Sequence, residues 1–309
     1  MHNVAPPTSL EGGKLQIKCN NISFYKQTRN YSTILSPADQ QSRYKGKILN
    51  SDPLFFTGLF DAEGSFIIII INNPKLVKGW QVQARIQIKM HENDRALIQS
   101  IQEFFGWIGH VSKPNNYSMV EFRVSTVKDL VDVIIPHFDN YPLNTKKYLD
   151  YLLFKNNFFK LLNKEHNTYE GLQDIVNIRS SLNLGLSNEL KKAFPGTVPA
   201  IRPEFLLKNI SGPSWLAGFA TGESNFFITV QKSKSKSGLT ISLRFSISQH
   251  SRDVLLLESL VNYFGCGYVA KYEKRSVCEF IVTKIDHIVE NIIPFFDKQF
   301  QFKLKLKAS

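Results

Sequence analysis

PLFFTGLFDAEGSF, residues 53–66, returns as PSWLAGFATGESNF at residues 213–226. Gly58 then corresponds to Gly218 and Glu63 to Glu223, 160 residues apart. Further on, Arg85-Ile-Gln-Ile-Lys-Met-His91 matches Arg244-Phe-Ser-Ile-Ser-Gln-His250, and Phe105-Gly106 matches Phe264-Gly265, both at a separation of 159. Glu121-Phe122, Ile134-Ile135-Pro136 and Asp139 match Glu279-Phe280, Ile292-Ile293-Pro294 and Asp297 at 158. Matches that keep their order with only single-residue slips are an internal duplication, and the duplication fixes the architecture before any local motif is read.

Within each copy the punctuation predicts helix, strand, strand, helix, strand, helix. The first helix opens on Pro53 or Pro213, where a missing N–H costs nothing. The apolar strand Phe66 to Ile71 leads through Asn72, Asn73, Pro74 and Gly79 into the alternating strand Gln81 to Met90, a long hairpin. Arg95 to Phe105 and Arg252 to Phe264 read as amphipathic helices packed on a sheet. Each repeat is therefore an α+β unit. The domain reading is a leader at 1–52, a first repeat at 53–195, a linker at 196–212 and a second repeat at 213–309. The leader, polar and without sustained period, is expected to be largely disordered. Its Lys14, Lys18, Lys26 and Arg29 suit an import signal, and a translated stretch upstream of the enzyme is the equal alternative.

The chain has 309 residues, 43% of them hydrophobic, enough for a sizeable core. Lys and Arg number 38 against 26 Asp and Glu, and the resulting +12 favours a polyanion as the large partner, nucleic acid ahead of an acidic membrane surface. The run Phe66 to Ile71 is too short to cross a bilayer, and Asp61 and Glu63 block its upstream extension. Cys19, Cys266 and Cys278 are odd in number and lack paired metal-ligand spacing, which argues against a disulfide framework or a structural zinc.

Gly58 and Ala62 share one helix face, as do Gly218 and Gly222, so the two first helices can approach closely along a seam. Glu63 and Glu223 each follow the second small residue and are expected side by side at one end of that seam. Neighbouring carboxylates repel unless a proton or cation lies between them, and at neutral pH a divalent metal is the natural occupant. Such a metal can acidify a bound water and neutralise a leaving oxygen, the needs of phosphodiester hydrolysis. A single glutamate at a helix end is ordinarily a solvated terminus; two in register across a duplication favour ligation.

FTGLFDAEG at Phe56 to Gly64 and LAGFATGES at Leu216 to Ser224 resemble the LAGLIDADG motif, and the chain is identified as a member of that homing endonuclease family over nearly everything from Pro53 to Leu306. The resemblance implies a monomeric pseudo-twofold saddle, αββαββα in each half, with antiparallel sheets in the major groove of double-stranded DNA. It implies Glu63 and Glu223 as catalytic metal ligands, with Ala62 and Gly222 in the same shell, and Mg2+ or another divalent cation as cofactor. It also places Lys89 near the reaction, able to polarise the water or the phosphate; its counterpart Ser248 is less suited. The activity implied is a double-strand break at a long site that promotes intron homing, in a mitochondrion or plastid. The alternatives are an RNA maturase acting on intron RNA and an inactive remnant.

Strand alternation places Asn73, Lys75, Gln81, Gln83, Arg85 and Gln87 on the face of Lys89, and Thr229, Gln231, Thr240, Ser242, Arg244 and Ser246 on the corresponding face of the second copy. Arg and Gln can pair bidentately with guanine and adenine edges, which makes Arg85 and Arg244 the leading candidates for base readout. Lys232, Lys234 and Lys236 at the second hairpin suit phosphates. His91 and His250 read as structural. Three features depart from the family pattern: Ile67, Ile69 and Ile71 are apolar on the groove-facing parity, Ser224 replaces Gly64, and the second copy stops short of the helices predicted at Tyr148 to Leu162 and toward Leu190.

Overall fold

The computed structural model describes residues 10–11, 14–19, 52–205, 210–232 and 238–299. Two compact units make it up: Ile34–Gly218, and Met1–Thr33 together with Phe219–Ser309. Strands β1 (Leu10–Glu11) and β2 (Lys14–Cys19) precede helix α1 (Pro53–Glu63), the hairpin β3 (Gly64–Asn72) and β4 (Trp80–His91), and helix α2 (Arg95–Phe104). Strands β5 (His110–Val111) and β6 (Met119–Val124) lead to helices α3 (Ile135–Asn140), α4 (Lys147–Leu162), α5 (Tyr169–Ser180) and α6 (Asn188–Ala193). The second copy runs α7 (Pro213–Glu223), β7 (Ser224–Lys232), β8 (Leu239–His250), α8 (Val254–Phe264), β9 (Tyr268–Tyr272), β10 (Val277–Val282) and α9 (Ile293–Gln299).

Both copies thus show the αββαββα order on antiparallel sheets, an α+β fold. Punctuation alone predicts one strand between the second and third helices; the additional β5 has two residues, too few to show alternation. The first sheet has the order β3-β4-β6-β5 and the second β1-β2-β7-β8-β10-β9. Phe105-Gly106 and Phe264-Gly265 end α2 and α8 alike, with Gly106 and Gly265 at φ of 74° and 66°, left-handed conformations that glycine adopts freely. Before α3 and α9 the matched segments Leu130–Ile134 and Ile288–Ile292 are π-helical. Pro136 and Pro294 follow in each, and a widened turn gives room to a ring that would otherwise strike the carbonyl four residues back.

In the Ile34–Gly218 unit, β4 buries Val82, Ala84, Ile86, Ile88 and Met90 and turns the intervening side chains to its other face. Phe66 is the hub of the core: its ring centroid lies 4.8 Å from Phe60, 5.2 Å from Phe138, 5.3 Å from Tyr151 and 5.4 Å from Phe154. Tyr151 and Phe154 come from α4. Among the described residues the second copy has no helix matching α4, and the Phe66 counterpart, Phe226, is only half-buried. Ile228, Leu239 and Ile241 on the same side of that hairpin are exposed.

The two copies also protect their outer strand edges differently. At β3 the edge carbonyls of Ile68 and Phe66 accept from Arg179 Nε at 2.8 Å and Asn183 Nδ2 at 2.7 Å. At β7 the edge is paired antiparallel with β2, Lys14 opposite Gln231 through Cys19 opposite Phe226. Of the leader, the described residues before Asp52 are Leu10–Glu11 and Lys14–Cys19, and the rest of it lies outside the described residues. Lys14-Leu-Gln-Ile-Lys-Cys19 alternates polar and apolar residues over a single strand, and an unpaired sheet edge is a template for such a segment.

Thr57 and His137 form a buried polar pair, Oγ1 to Nε2 at 3.1 Å. Thr57 donates its one proton to the Tyr141 carbonyl at 3.2 Å, which leaves Nε2 as the donor to Thr57. Burial pushes His137 down to about 4. Its register partner is Phe295 and that of Thr57 is Ala217, so the second copy replaces the pair with apolar side chains. The native state takes up fewer protons than the unfolded chain between about pH 6.5 and 4, so stability falls as pH drops through that window. We expect a loss of about 2 kcal/mol between pH 7 and pH 5 from this group. The double substitution Thr57→Ala, His137→Phe should flatten the acid side of the melting-temperature profile, and an unchanged slope in calorimetry would refute this origin.

Candidate active site

Helix α1 begins on a capped end, where the Asp52 carboxylate accepts from the Leu54 amide at 2.9 Å, and Pro53 follows as its first residue. The helix is apolar nearly all round, and Phe55, Phe56, Leu59 and Phe60 are buried. Close approach to the start of α7 is real: a Cβ at Gly218 would overlap the Phe55 carbonyl oxygen and stand 2.9 Å from the Leu59 nitrogen. Asp61, only 2% exposed, accepts from the Asn144 amide at 2.8 Å, Thr145 Oγ1 at 2.6 Å and Trp215 Nε1 at 2.8 Å, and also from the Thr145 amide. Burial raises its pKa, against the opposing pull of Thr145, Asn144, Lys147 and Trp215.

Glu63 is the last residue of α1, as Glu223 is of α7. Burial raises the pKa of Glu63, Asp94 adds a like charge that raises it further, and Lys147 pulls it down. Asp94 is itself raised by burial. A carboxylate whose charge is disfavoured from two directions gains from a nearby cation. Ala62 lies beside it in the last turn of α1, and Gly222 lies beside Glu223 in α7. Carboxylate and carbonyl oxygens form a hard donor set that fits Mg2+, an ion that keeps several waters and takes few protein ligands. No cluster of three or more His, Cys, Asp or Glu able to hold a metal occurs among the described residues.

Lys89 stands on the open face of β4, about half exposed, with Nζ 3.4 Å from the Glu121 carboxylate on β6. Register puts Ser248 opposite Glu279 in the same way. There the guanidinium of Arg244 takes Glu279 at 2.6 Å, and Tyr272 and Ser248 bond the same carboxylate. Glu121 and Glu279, matched across the duplication, thus each hold basic or hydroxyl side chains of their own open face. Arg123 lies opposite Gln87 on the same face.

Gln81, Gln83, Arg85 and Gln87 share that face with Lys89, and Ile67, Ile69 and Ile71 lie beside them in register with Arg85, Gln83 and Gln81. Asn73 donates from Nδ2 to Gln81 Oε1 at 3.3 Å, and Lys75 sits in the turn beyond. On the second sheet Thr229 pairs with Ser242 and Gln231 with Thr240, on the face that carries Arg244. Ser246 shares that parity but is fully buried, in register between Asn225 and Ile281, which removes it from the set of accessible readers. Lys232 is exposed at the end of β7 and belongs to the opposite parity; Lys234 and Lys236 lie outside the described residues. Buried polar atoms without a protein partner include Arg85 Nε, Gln87 Oε1 and Arg244 Nε.

His91 and His250 are structural: each Nδ1 accepts the amide two residues on, capping the turn before α2 or α8. Cys266 and Cys278 are free and buried. No helix among the described residues is long and apolar enough to cross a membrane.

The family model for the LAGLIDADG endonuclease matches residues 56–158 and again 216–307. The chain is 47% identical to a probable intron-encoded endonuclease 2 of Neurospora crassa, over 97% of this chain and 67% of that protein. It is 37% identical to an uncharacterized 50.9 kDa protein in ND4 intron 1 of Podospora anserina, over 42% of this chain and 28% of that protein. The LAGLIDADG homing endonuclease I-SmaMI bound to cleaved DNA superposes with a TM-score of 0.79 at 42% identity, covering 82% of this chain and 84% of that one. The same enzyme bound to uncleaved DNA in the presence of calcium ions superposes with a TM-score of 0.79 at 41% identity, over 81% of this chain and 85% of that one. With its motif helices, matched glutamates and paired αββαββα repeats, the chain belongs to the LAGLIDADG homing endonuclease family, enzymes that cleave DNA.

Proposed function

We propose that this protein makes a divalent-metal-dependent double-strand break at a long, specific DNA site, in the service of a mitochondrial intron. The observation that carries the reading is the pair Glu63 and Glu223, each closing its motif helix, with the charged form of Glu63 disfavoured in the absence of a cation. Glu63 with the carbonyl of Ala62, and likewise Glu223 with the carbonyl of Gly222, would be ligands for Mg2+. When bound, the ion supplies charge neutralisation for the phosphate and a more acidic water.

The remaining chemistry falls to side chains of the open faces. Lys89 holds its ammonium toward solvent and is suited to stabilise the attacked phosphate or take part in proton transfer at the attacking water. Ser248 has no charge to offer, so the two halves are chemically unequal. Arg85, Gln83 and Gln87 on the first open face and Arg244 on the second are side chains suited to bidentate pairing with guanine and adenine edges. Exposed lysines such as Lys75 and Lys232 serve phosphates. Intron residence in a mitochondrion rests on relatives encoded in introns, among them the ND4 intron protein.

Glu63→Gln or Glu223→Gln should slow cleavage on the order of 10³-fold, about 4 kcal/mol of barrier, while leaving DNA affinity in EDTA within about threefold. Plasmid cleavage and gel-shift titration against a site selected from the intron-less host gene measure the two separately, and a variant that cuts at the parental rate would reject the assignment. A second expectation concerns Ile67, Ile69 and Ile71, whose only apolar counterpart in the major groove is the thymine methyl. Replacing thymine by uracil in the half-site read by the first repeat should weaken binding about fourfold per methyl contacted, from ~0.8 kcal/mol per buried group. Equal sensitivity of the two half-sites would rule out this role for the isoleucines, since the second copy has Phe227, Thr229 and Gln231 in their places.

A further inference from the structure

On the open face of the second sheet one carboxylate gathers three side chains. Glu279 of β10 stands in register opposite Ser248 of β8 and is largely shielded from solvent. Its Oε2 accepts from Arg244 Nη2 at 2.6 Å and from the Tyr272 hydroxyl at 3.2 Å, and its Oε1 accepts from the Ser248 hydroxyl at 3.4 Å. Arg244 lies four residues before Ser248 on the same strand, roughly 13 Å along it at about 3.3 Å per residue. To meet Glu279 its side chain therefore runs along β8 across the register of Ser246, a position that is fully buried. The first copy differs here: Glu121, the counterpart of Glu279, takes the ammonium of Lys89, which stands opposite it. Ser248 replaces that lysine, and a shielded carboxylate is costly without a cation, so Arg244 supplies one.

We propose that Glu279 is a specificity-determining residue: it holds the Arg244 guanidinium in place for bidentate pairing with a guanine in the major groove. The proposal rests on the reading of the second open face as one that meets DNA bases. An arginine side chain gives up rotamer freedom when it binds, and one already held has less to give up. A guanidinium carries five N–H donors, so the bond to Glu279 leaves Nη1 and the second hydrogen of Nη2 for the O6 and N7 acceptors of guanine. The carboxylate also repels phosphate, which biases the guanidinium toward a base edge over the backbone. In the first copy Glu121 is engaged by Lys89 instead, so the effect belongs to the half-site read by the second repeat.

The experiment is a binding competition in EDTA between the full-length protein and duplexes carrying the site from the intron-less host gene, with each base pair of that half-site substituted in turn. Arg244→Ala locates the guanine, as the base pair at which discrimination collapses. Glu279→Ala should lower discrimination at that same pair about tenfold and leave the other pairs within about twofold. Glu279→Gln keeps an acceptor of the same shape without the charge and should lose about threefold; it decides the matter if the alanine variant does not fold. Discrimination at the parental level in the folded variant overturns the proposal. So does a gain in affinity spread evenly over all sequences, because the carboxylate would then only compete with phosphate for Arg244. An Arg244→Ala variant that alters no base preference would instead remove Arg244 as a reader, whatever Glu279 does.

Discussion

A carboxylate shut away from water organises the Ile34–Gly218 unit. Asp61 sits within the motif helix, and its four donors come from the loop before α4 and from Trp215 at the start of α7. Burying a lone carboxylate would cost several kcal/mol, so the ion is tolerable only where the donors are in place, and their places then become fixed. The consequence is geometric as much as energetic. The loop it holds delivers Lys147 to the end of α1, and the helix it crosses ends two residues later at Glu63. Positions that look unrelated along the chain are tied to one another by the need to satisfy one buried charge.

The second copy meets the same geometry with different chemistry. Thr221 stands where the first copy has Asp61, Ala217 where it has Thr57, and Phe295 where it has His137. The Thr57–His137 exchange is coherent, because a buried hydrogen-bonded pair that loses one member leaves the other unsatisfied, whereas replacing both by apolar groups is nearly neutral. Edge protection diverges in the same spirit. Side chains of Arg179 and Asn183 cover β3, and a backbone ladder from β2 covers β7. Duplication preserved the path of the chain and let the means of stabilising it drift.

Much of this was legible in the residues. The two LAGLIDADG-like stretches, the hairpins, the alternation along β4 and the glutamates at matched helix ends all leave local patterns, of period two or of fixed spacing, that survive without coordinates. What escaped was of three kinds. The two residues of β5 are too short for a period. The pairing of Lys14–Cys19 could not be read locally, because its partner strand is more than 200 residues away. The roles of Asp61, Lys147 and Trp215 depend on meetings between distant segments, which no window of sequence displays. Ser246 marks a further limit, since its parity is right and only its surroundings take it out of reach.

Within the proposed complex the open faces combine two kinds of contact with different jobs. Phosphate contacts from lysines supply affinity without regard to sequence, and they weaken as salt rises. A phosphate offers only acceptors, so it can bond a guanidinium or an ammonium but cannot donate to the side-chain oxygen of an exposed glutamine such as Gln83. A base edge can, because adenine and cytosine present amino groups in the major groove. The isoleucines of β3 complement this by rewarding methyl groups and tolerating no unpaired polar atom against them. A sheet face that sets arginine and glutamine side chains beside an apolar strip is therefore suited to reading base edges, and the lysines around it serve to bring those edges within reach.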